Sequence, residues 1–559
     1  MFFQKLLFDY IAENVIFVAI YILLLLLIFP LEDIVIPRMF GRLYETIKDK
    51  KTYGDPLNIF ENMKNMNTPG ILTWIIAIYI FTLLAENLKF YIDSYISPGY
   101  LKYLRSLLFT GTIRKHEEDY EDVKSGEYIS KVMEISRNIR DLFQYLISHF
   151  FPYVSVGVVL ILYLSYQVPK LAPILVVFTM VIILFSIYST EYIISLVQKR
   201  EDFFTKELAE SIQDKLHNMM NIVINNEGFN AINNNDKLED KNKKMMEDIM
   251  KAESISMTSM QMVAITGYSS CVYILYGLLK QGQLSVSNMI AYLLTLGKYL
   301  SYMQNINWGI VFSLSYKIGI INSHYDFLMD IFKYTNNDNK RTEFEDGSIE
   351  FDNMKFKYGD EGEYIFDGLN LKIKDNEKVG LVGRSGSGKT SLTKLMVGLH
   401  KYEGSIKVGS QEVKTSNKED LRSYINYVNQ RTQMFNGNVM DNMVYGNEAT
   451  EDQVKTVLEK YNLNSVFANL DDGLNSDVGV NGGQLSLGMQ KVVMIVRGIL
   501  RKSKIIIFDE PLAGLDQDTR QKVINLILEE NKNKTVIVIT HDKEILPYME
   551  RVINVNDYQ

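Results

Sequence analysis

The sequence predicts two domains of different kinds: an α-helical transmembrane domain of six long helices over residues 1–330, and an α/β domain over 349–559, joined by a linker at 331–348. Three observations carry this. The chain, at 559 residues, exceeds one ordinary domain. Residues before about 330 contain apolar runs that approach the ~20 residues a helix needs to cross a bilayer. After Ile349 the pattern changes to short β-rich runs alternating with amphipathic helices.

The spans fall at about 14–36, 70–97, 142–167, 170–192, 254–279 and 284–316. The first opens with the uncharged run Val15–Phe29, closed by Pro30. Val168-Pro169-Lys170 divides the third from the fourth. Gln281-Gly282-Gln283 makes a tight outer turn between the fifth and sixth, and Lys298 alone interrupts the sixth with charge. Orientation follows from basic residues in the loops. Lys89–Arg140 and Lys199–Lys251 each hold nine Lys and Arg, whereas Lys170 and Lys280 stand alone in their turns, so the two long segments and both termini are expected in the cytoplasm. Lys48, Lys50, Lys51 and Lys64 run against the rule, diluted by Asp49, Asp55 and Glu61.

Met1–Ala12 reads as an amphipathic helix along the inner leaflet with Phe2, Phe3, Leu6 and Leu7 buried. Asp9 and Glu13 ahead of the apolar run argue against a cleaved signal. The two long basic segments read as helical extensions of the spans, broken at Lys124–Glu127 and Asn225–Gly228, because structureless loops of about 50 residues are rare in compact proteins. Glu86 and Lys298 lie at similar depth and are candidates for lining a polar cavity; the alternative is that both sit near the inner interface.

Net charge of −8 and a pI near 5.5 exclude a nucleic-acid-binding face, for want of a basic excess. Cys271 is the single cysteine, so neither an intrachain disulfide nor a thiolate metal cluster can form, and its apolar setting predicts an inert buried thiol.

The second domain carries the chemistry. The strand Lys378–Val382 leads into Gly383-Arg384-Ser385-Gly386-Ser387-Gly388-Lys389-Thr390, a complete P-loop between a strand and a helix. Its glycines let backbone N–H groups turn inward around phosphate oxygens, and the following helix, with Ser391 in its first turn, adds a positive end. Lys389 is expected to reach the β- and γ-phosphates and the Thr390 hydroxyl to ligate magnesium. The apolar run Ile505–Phe508 ends in Asp509-Glu510. Asp509, at the end of a strand expected beside the P-loop strand, is placed to hold the magnesium shell, and Glu510 to polarise an attacking water. The strand Thr535–Thr540 delivers His541 to the same sheet edge, where it can bond the γ-phosphate and orient that water.

Together these residues resemble the ATP-binding cassette (ABC) family, and within it the exporters built on six long helices fused to one P-loop NTPase domain of ABC type. The resemblance covers essentially the whole chain. It implies that Tyr358 stacks on adenine, that Gln430 touches magnesium and reports to the membrane helices, and that Asp516, in Ala513-Gly514-Leu515-Asp516, couples two ATP sites. Ser476–Gly483 resembles the exporter segment that contacts helix elbows, and a coupling helix is implied near 212–224. The signature departs from the family's Leu-Ser-Gly-Gly-Gln: here it is Leu485-Ser486-Leu487-Gly488-Met489, in which Ser486 and Gly488 survive to meet the ATP of an opposite subunit.

The resemblance implies ATP and Mg2+ as cofactors, membrane lipid around the helices, and a second half-transporter subunit, with a homodimer favoured and a heterodimer as the alternative. ATP hydrolysis would then drive export by alternating access. A rival reading is an ATP-gated channel or regulatory switch with slow hydrolysis. Nothing in the sequence names the cargo.

Overall fold

The computed structural model describes residues 2–49, 68–118, 125–335, 341–359, 362–430 and 434–558. Lys50, Lys51, Lys64 and Lys124 lie outside them, as do the side chains of Phe2, Phe3, Leu6 and Leu7. The chain divides into two compact units: residues 1–110 with 123–333, and residues 111–122 with 334–559.

The first unit is helical: α1 (Phe2–Glu13), α2 (Val15–Pro30), α3 (Ile36–Asp49), α4 (Thr68–Glu118), α5 (Ser125–Tyr145), α6 (Phe151–Gln167), α7 (Ala172–Phe203), α8 (Glu210–His217), α9 (Met219–Ile224), α10 (Gly228–Lys280), α11 (Val286–Trp308), α12 (Ser315–Ser323) and α13 (Tyr325–Phe332). Single π-helical turns at Leu31–Val35, Leu146–Phe150, Phe204–Ala209 and Gly309–Leu314 join neighbours without ending the rods. With 51 and 53 residues, α4 and α10 are roughly 75–80 Å long at 1.5 Å per residue, far beyond a hydrocarbon core of about 30 Å. The spans therefore run on as helical extensions. The break expected at 225–228 is present: Asn226 takes φ 56° and α10 starts at Gly228. The turn after Lys280 is present too, with Gly282 at φ 71°.

Among the described residues, five helices are long and apolar enough to cross a membrane: Val15–Lys48, Thr68–Glu117, Tyr128–Gln167, Pro169–His217 and Gly228–Lys280. The sixth expected span falls on α11, where Asn288, Lys298, Gln304, Asn305 and Asn307 dilute the apolar run. That helix packs against α3, α6 and α10 and buries Ala291, Thr295, Leu296 and Tyr299. Leu23, Leu26, Ile76, Leu84, Leu162 and Leu184 stay exposed, a surface that an apolar solvent would cover. Cys271 is fully buried.

The second unit contains two sheets. The strands β1 (Ile349–Lys357), β2 (Tyr364–Ile373), β3 (Lys378–Val382), β4 (Glu403–Val408), β5 (Gln411–Glu412), β6 (Ile425–Val428), β7 (Ile505–Asp509), β8 (Thr535–Ile539) and β9 (Arg551–Asn554) sort into an antiparallel sheet, β2-β1-β4-β5, and a parallel one, β6-β7-β8-β3-β9. Among the described residues, six helices accompany them: α14 (Lys389–Met396), α15 (Lys418–Tyr424), α16 (Val439–Val444), α17 (Glu451–Lys460), α18 (Leu487–Leu500) and α19 (Gln517–Glu530). β7 and β8 are buried along their whole length, as all-apolar runs in a covered parallel sheet must be. The expectation that the Asp509 strand lies beside the P-loop strand is corrected: β8 stands between β3 and β7. Two apolar runs of equal length, Ile505–Phe508 and Val536–Ile539, compete for that neighbour position, and strand order within a parallel sheet is not encoded in either run.

Candidate functional site

Parallel strands place their C-terminal ends along one edge, and there the sheet gathers the residues singled out from the sequence. β3 ends in the glycine loop; Gly386 and Gly388 both take φ 83°, a conformation an L side chain rarely adopts, and Gly388 caps α14. A Cβ at Gly388 would meet Phe366 at 2.8 Å, so glycine is also a steric requirement there. The Lys389 ammonium donates to the Gly383 and Arg384 carbonyls, at 3.0 and 2.8 Å, which holds it across the loop. Burial pushes its pKa below the ordinary lysine value, with Glu510 and Asp509 pulling the other way. The Ser387 hydroxyl is buried in this loop and has no hydrogen-bond partner. An orphaned donor among inward-turned amides fits a phosphate oxygen.

The strands β7 and β8 pair in register with Asp509 opposite Ile539, so Glu510 and His541 leave the sheet side by side. Thr390 donates through its hydroxyl to Asp509 Oδ2 at 3.1 Å. Glu510 takes φ 51°, outside the ordinary range for a side chain of its size, and its N–H is held by the Ile539 carbonyl at 2.9 Å. Its carboxylate lies 3.9 Å from His541 Nε2. Burial pushes the Glu510 pKa above the ordinary carboxyl value, while His541 and Lys389 oppose that rise.

Tyr358 is half-exposed and tied to the P-loop helix by a 2.8 Å bond between its hydroxyl and that of Ser391, with ring edges against Phe356 and His400. Arg384, Ser385 and Gly386 form the open part of the loop. Gln430 is exposed beyond β6, and its carbonyl accepts from Lys491 Nζ at 3.1 Å.

The signature residues open α18. Ser486 caps α18, accepting from the Met489 N–H at 3.2 Å. Leu487 is 71% exposed and projects from the helix start, while Met489 packs inward on the core. Gly488 has room for a Cβ, its nearest neighbour being 3.7 Å away. Asp516 caps α19 through the Thr519 N–H at 3.0 Å, and that bond holds its pKa below the ordinary aspartate value. Short helices α8 and α9 occupy 210–224, where the coupling helix is implied.

Two contributors escaped the sequence reading. The Tyr427 hydroxyl donates to Asp509 Oδ2 at 2.9 Å. Lys491, buried on α18, has its pKa lowered by burial, with Asp509 and Glu510 drawing it up. A lysine directly ahead of the apolar run Val492–Val496 is a signal that could have found it. In the first unit, Lys298 does not meet Glu86. Its partner is Asp33, in the π-turn after α2, at 3.5 Å, and Tyr302 donates to the same carboxylate at 2.7 Å.

The family model for the ABC transporter transmembrane region matches residues 19–303, and that for the ABC transporter ATP-binding region matches residues 366–513. The chain belongs to the ABC transporters. It carries one membrane region and one cassette, the composition of a half-transporter, and its activity is ATP hydrolysis coupled to transport. A provisionally named export ATP-binding/permease protein of Rickettsia felis is 26% identical over 489 residues, covering 84% of this chain and 82% of that protein. The lacticin-481/lactococcin-DR transport/processing ATP-binding protein of Lactococcus lactis is 33% identical over 199 residues, 35% of this chain and 28% of that protein. Among solved structures, a bacterial Atm1-family ABC exporter with ATP bound superposes with a TM-score of 0.81 at 17% identity, covering 98% of this ABC transporter chain and 93% of that one.

Proposed function

We propose that this ABC transporter chain exports its substrate by alternating access, as one half of a homodimer whose two cassettes close on two ATP molecules. The observation that carries the reading is the convergence on one sheet edge of Lys389, the Thr390–Asp509 pair and the Glu510–His541 pair. Lys389 and the P-loop amides would bind the phosphates, Tyr358 the adenine, and Glu510 would take a proton from the attacking water while His541 holds the γ-phosphate. Thr390, Gln430 and Asp509 would hold Mg2+, which draws negative charge off the β- and γ-phosphates when bound. Export direction rests on the names of the relatives and on the exporter-like segment Ser476–Gly483.

Dimerisation is supported by what one chain leaves unfinished. Ser486 and Gly488 lie at a helix start with no phosphate-binding loop of their own, and a second chain would supply one. Around α9, Leu216, Met220, Val223, Ile224 and Phe229 are exposed on a segment outside the expected spans, an apolar patch that suits a protein partner. Leu487 and Met489 favour a second reading, in which a different subunit supplies an unaltered signature.

Cysteine pairing separates the two. With Cys271 buried, Arg384→Cys and Ser486→Cys can be placed on separate chains in a Glu510→Gln background. A homodimer gives an ATP-dependent disulfide between the two chains. ATP binding by both chains without any cross-link assigns the partner role to another subunit.

A further inference from the structure

Glu134 on α5, Glu201 near the end of α7 and His324 between α12 and α13 come from three separate stretches of the chain, yet one ligand atom from each lies within 4.8 Å of the others. The three occupy one layer. They stand 8, 9 and 8 residues beyond the expected span ends at 142, 192 and 316, or about 12–14 Å along a helix. They belong to the first unit and none takes part in the nucleotide site.

Glu201 and His324 are buried, at 1% and 4% exposure, and each carries a polar atom with no hydrogen-bond partner among the described residues: Oε1 of Glu201 and Nε2 of His324. Glu201 Oε2 is occupied by Arg200 at 3.0 Å, and Arg200 is itself fixed by Asn242 at 3.0 Å, so the free oxygen is the one left for a ligand. Glu134 is half-buried, with Arg200 and Arg137 acting on its carboxylate, so the geometric opening lies at the two buried orphan atoms of Glu201 and His324.

We propose that Glu134, Glu201 and His324 bind one divalent transition-metal cation of the zinc class, which ties α5, α7 and the α12–α13 junction together. The donor set decides the class. One imidazole nitrogen with two carboxylates suits zinc and its neighbours, where magnesium and calcium take oxygen alone. Burial, reinforced by Lys131, pushes His324 down to about 4, so its ring is neutral and keeps a lone pair to donate. Burial and the neighbouring Glu134 push Glu201 up to about 7, with Arg200 opposing the rise. Ligands around a tetrahedral ion at roughly 2.1 Å lie about 3.4 Å apart, so closing on the ion takes side-chain shifts on the order of 1 Å.

The test uses the full chain in lipid, tag removed, stripped with a chelator and re-equilibrated with zinc. Metal content per chain, zinc affinity by competition and the X-ray absorption edge are then measured for wild type, His324→Ala and Glu134→Gln. The expected result is one equivalent more zinc in wild type than in His324→Ala, nitrogen and oxygen donors without sulfur, and an affinity at least tenfold weaker in Glu134→Gln. Zinc should also raise the unfolding temperature of wild type, a readout that stands if His324→Ala fails to fold. Equal zinc content in wild type and both variants overturns the proposal. So does an unfolding temperature that ignores zinc and chelator while varying with pH, since the cluster then holds a proton and no metal.

Discussion

Removing one hydroxyl from the nucleotide domain tests how Asp509 is held. Tyr427→Phe keeps the ring and deletes the 2.9 Å bond to Asp509 Oδ2, leaving Thr390, at 3.1 Å, on the same oxygen. Burial and Asp509 together raise the Tyr427 pKa, so the hydroxyl keeps its proton and donates at every working pH. A hydrogen bond to a charged group contributes about 1.5–3 kcal/mol, and Asp509 is too buried for water to replace the donor freely. For a domain of this size each kcal/mol moves the melting temperature by roughly 2–4 °C, so a loss of about 3–12 °C is expected for the cassette transition. Differential scanning calorimetry of the nucleotide-free full chain in lipid measures it. ATPase turnover should stay within about tenfold, because Tyr427 touches Asp509 and no reacting atom, and tenfold corresponds to about 1.4 kcal/mol. A shift under about 1 °C would refute the idea that this hydroxyl supports the carboxylate. A turnover loss as deep as that of Glu510→Gln would place Tyr427 in the chemistry itself.

Other consequences follow from the same contacts. Burial raises the Glu510 pKa, and its base form is lost as pH falls through that raised value, so the acid limb of the ATPase profile should lie above the ordinary 4.5; His541→Ala, which removes an opposing influence, should move the limb to still higher pH. Glu201, raised to about 7, contributes stability that is complete below its unfolded value and is lost as pH rises through 7; in chelated protein Glu201→Gln should flatten the melting profile between about pH 5 and 8. Lys298→Met strands the buried Asp33 carboxylate and should cost about 2–4 kcal/mol, of which Asp33→Asn in the same chain recovers part, as a thermal-shift double-mutant cycle would show. Leu487→Gly should raise turnover while costing at most about 1 kcal/mol of stability, since Leu487 projects into solvent; unchanged turnover would show that Leu487 is no handicap to the signature.

Local patterns made the nucleotide site legible. The P-loop is a strand, a loop and a helix in sequence, and the register of β7 with β8 carries Glu510 and His541 to one place once both strands are recognised. Long helices were legible because apolar runs pass into amphipathic ones without a break, though the first rod continues through a π-turn to Asp49, well past the span end expected at 36. What escaped was long-range pairing. Asp33 and Lys298 are 265 residues apart, and nothing near either one names the other. Tyr427 sat in view as part of a strand, but its tie to Asp509 is a tertiary contact. The separation of β7 from β3 by β8 is hidden for the same reason, since equal apolar runs do not declare their neighbours.

The most direct measurement is ATP hydrolysis by the purified chain alone in lipid, with and without Mg2+, beside Glu510→Gln. A self-sufficient ABC half-transporter that pairs with its own copy gives magnesium-dependent turnover that Glu510→Gln abolishes while ATP binding persists. Turnover that survives Glu510→Gln, or bound ATP that is never hydrolysed by the wild-type chain, would contradict it.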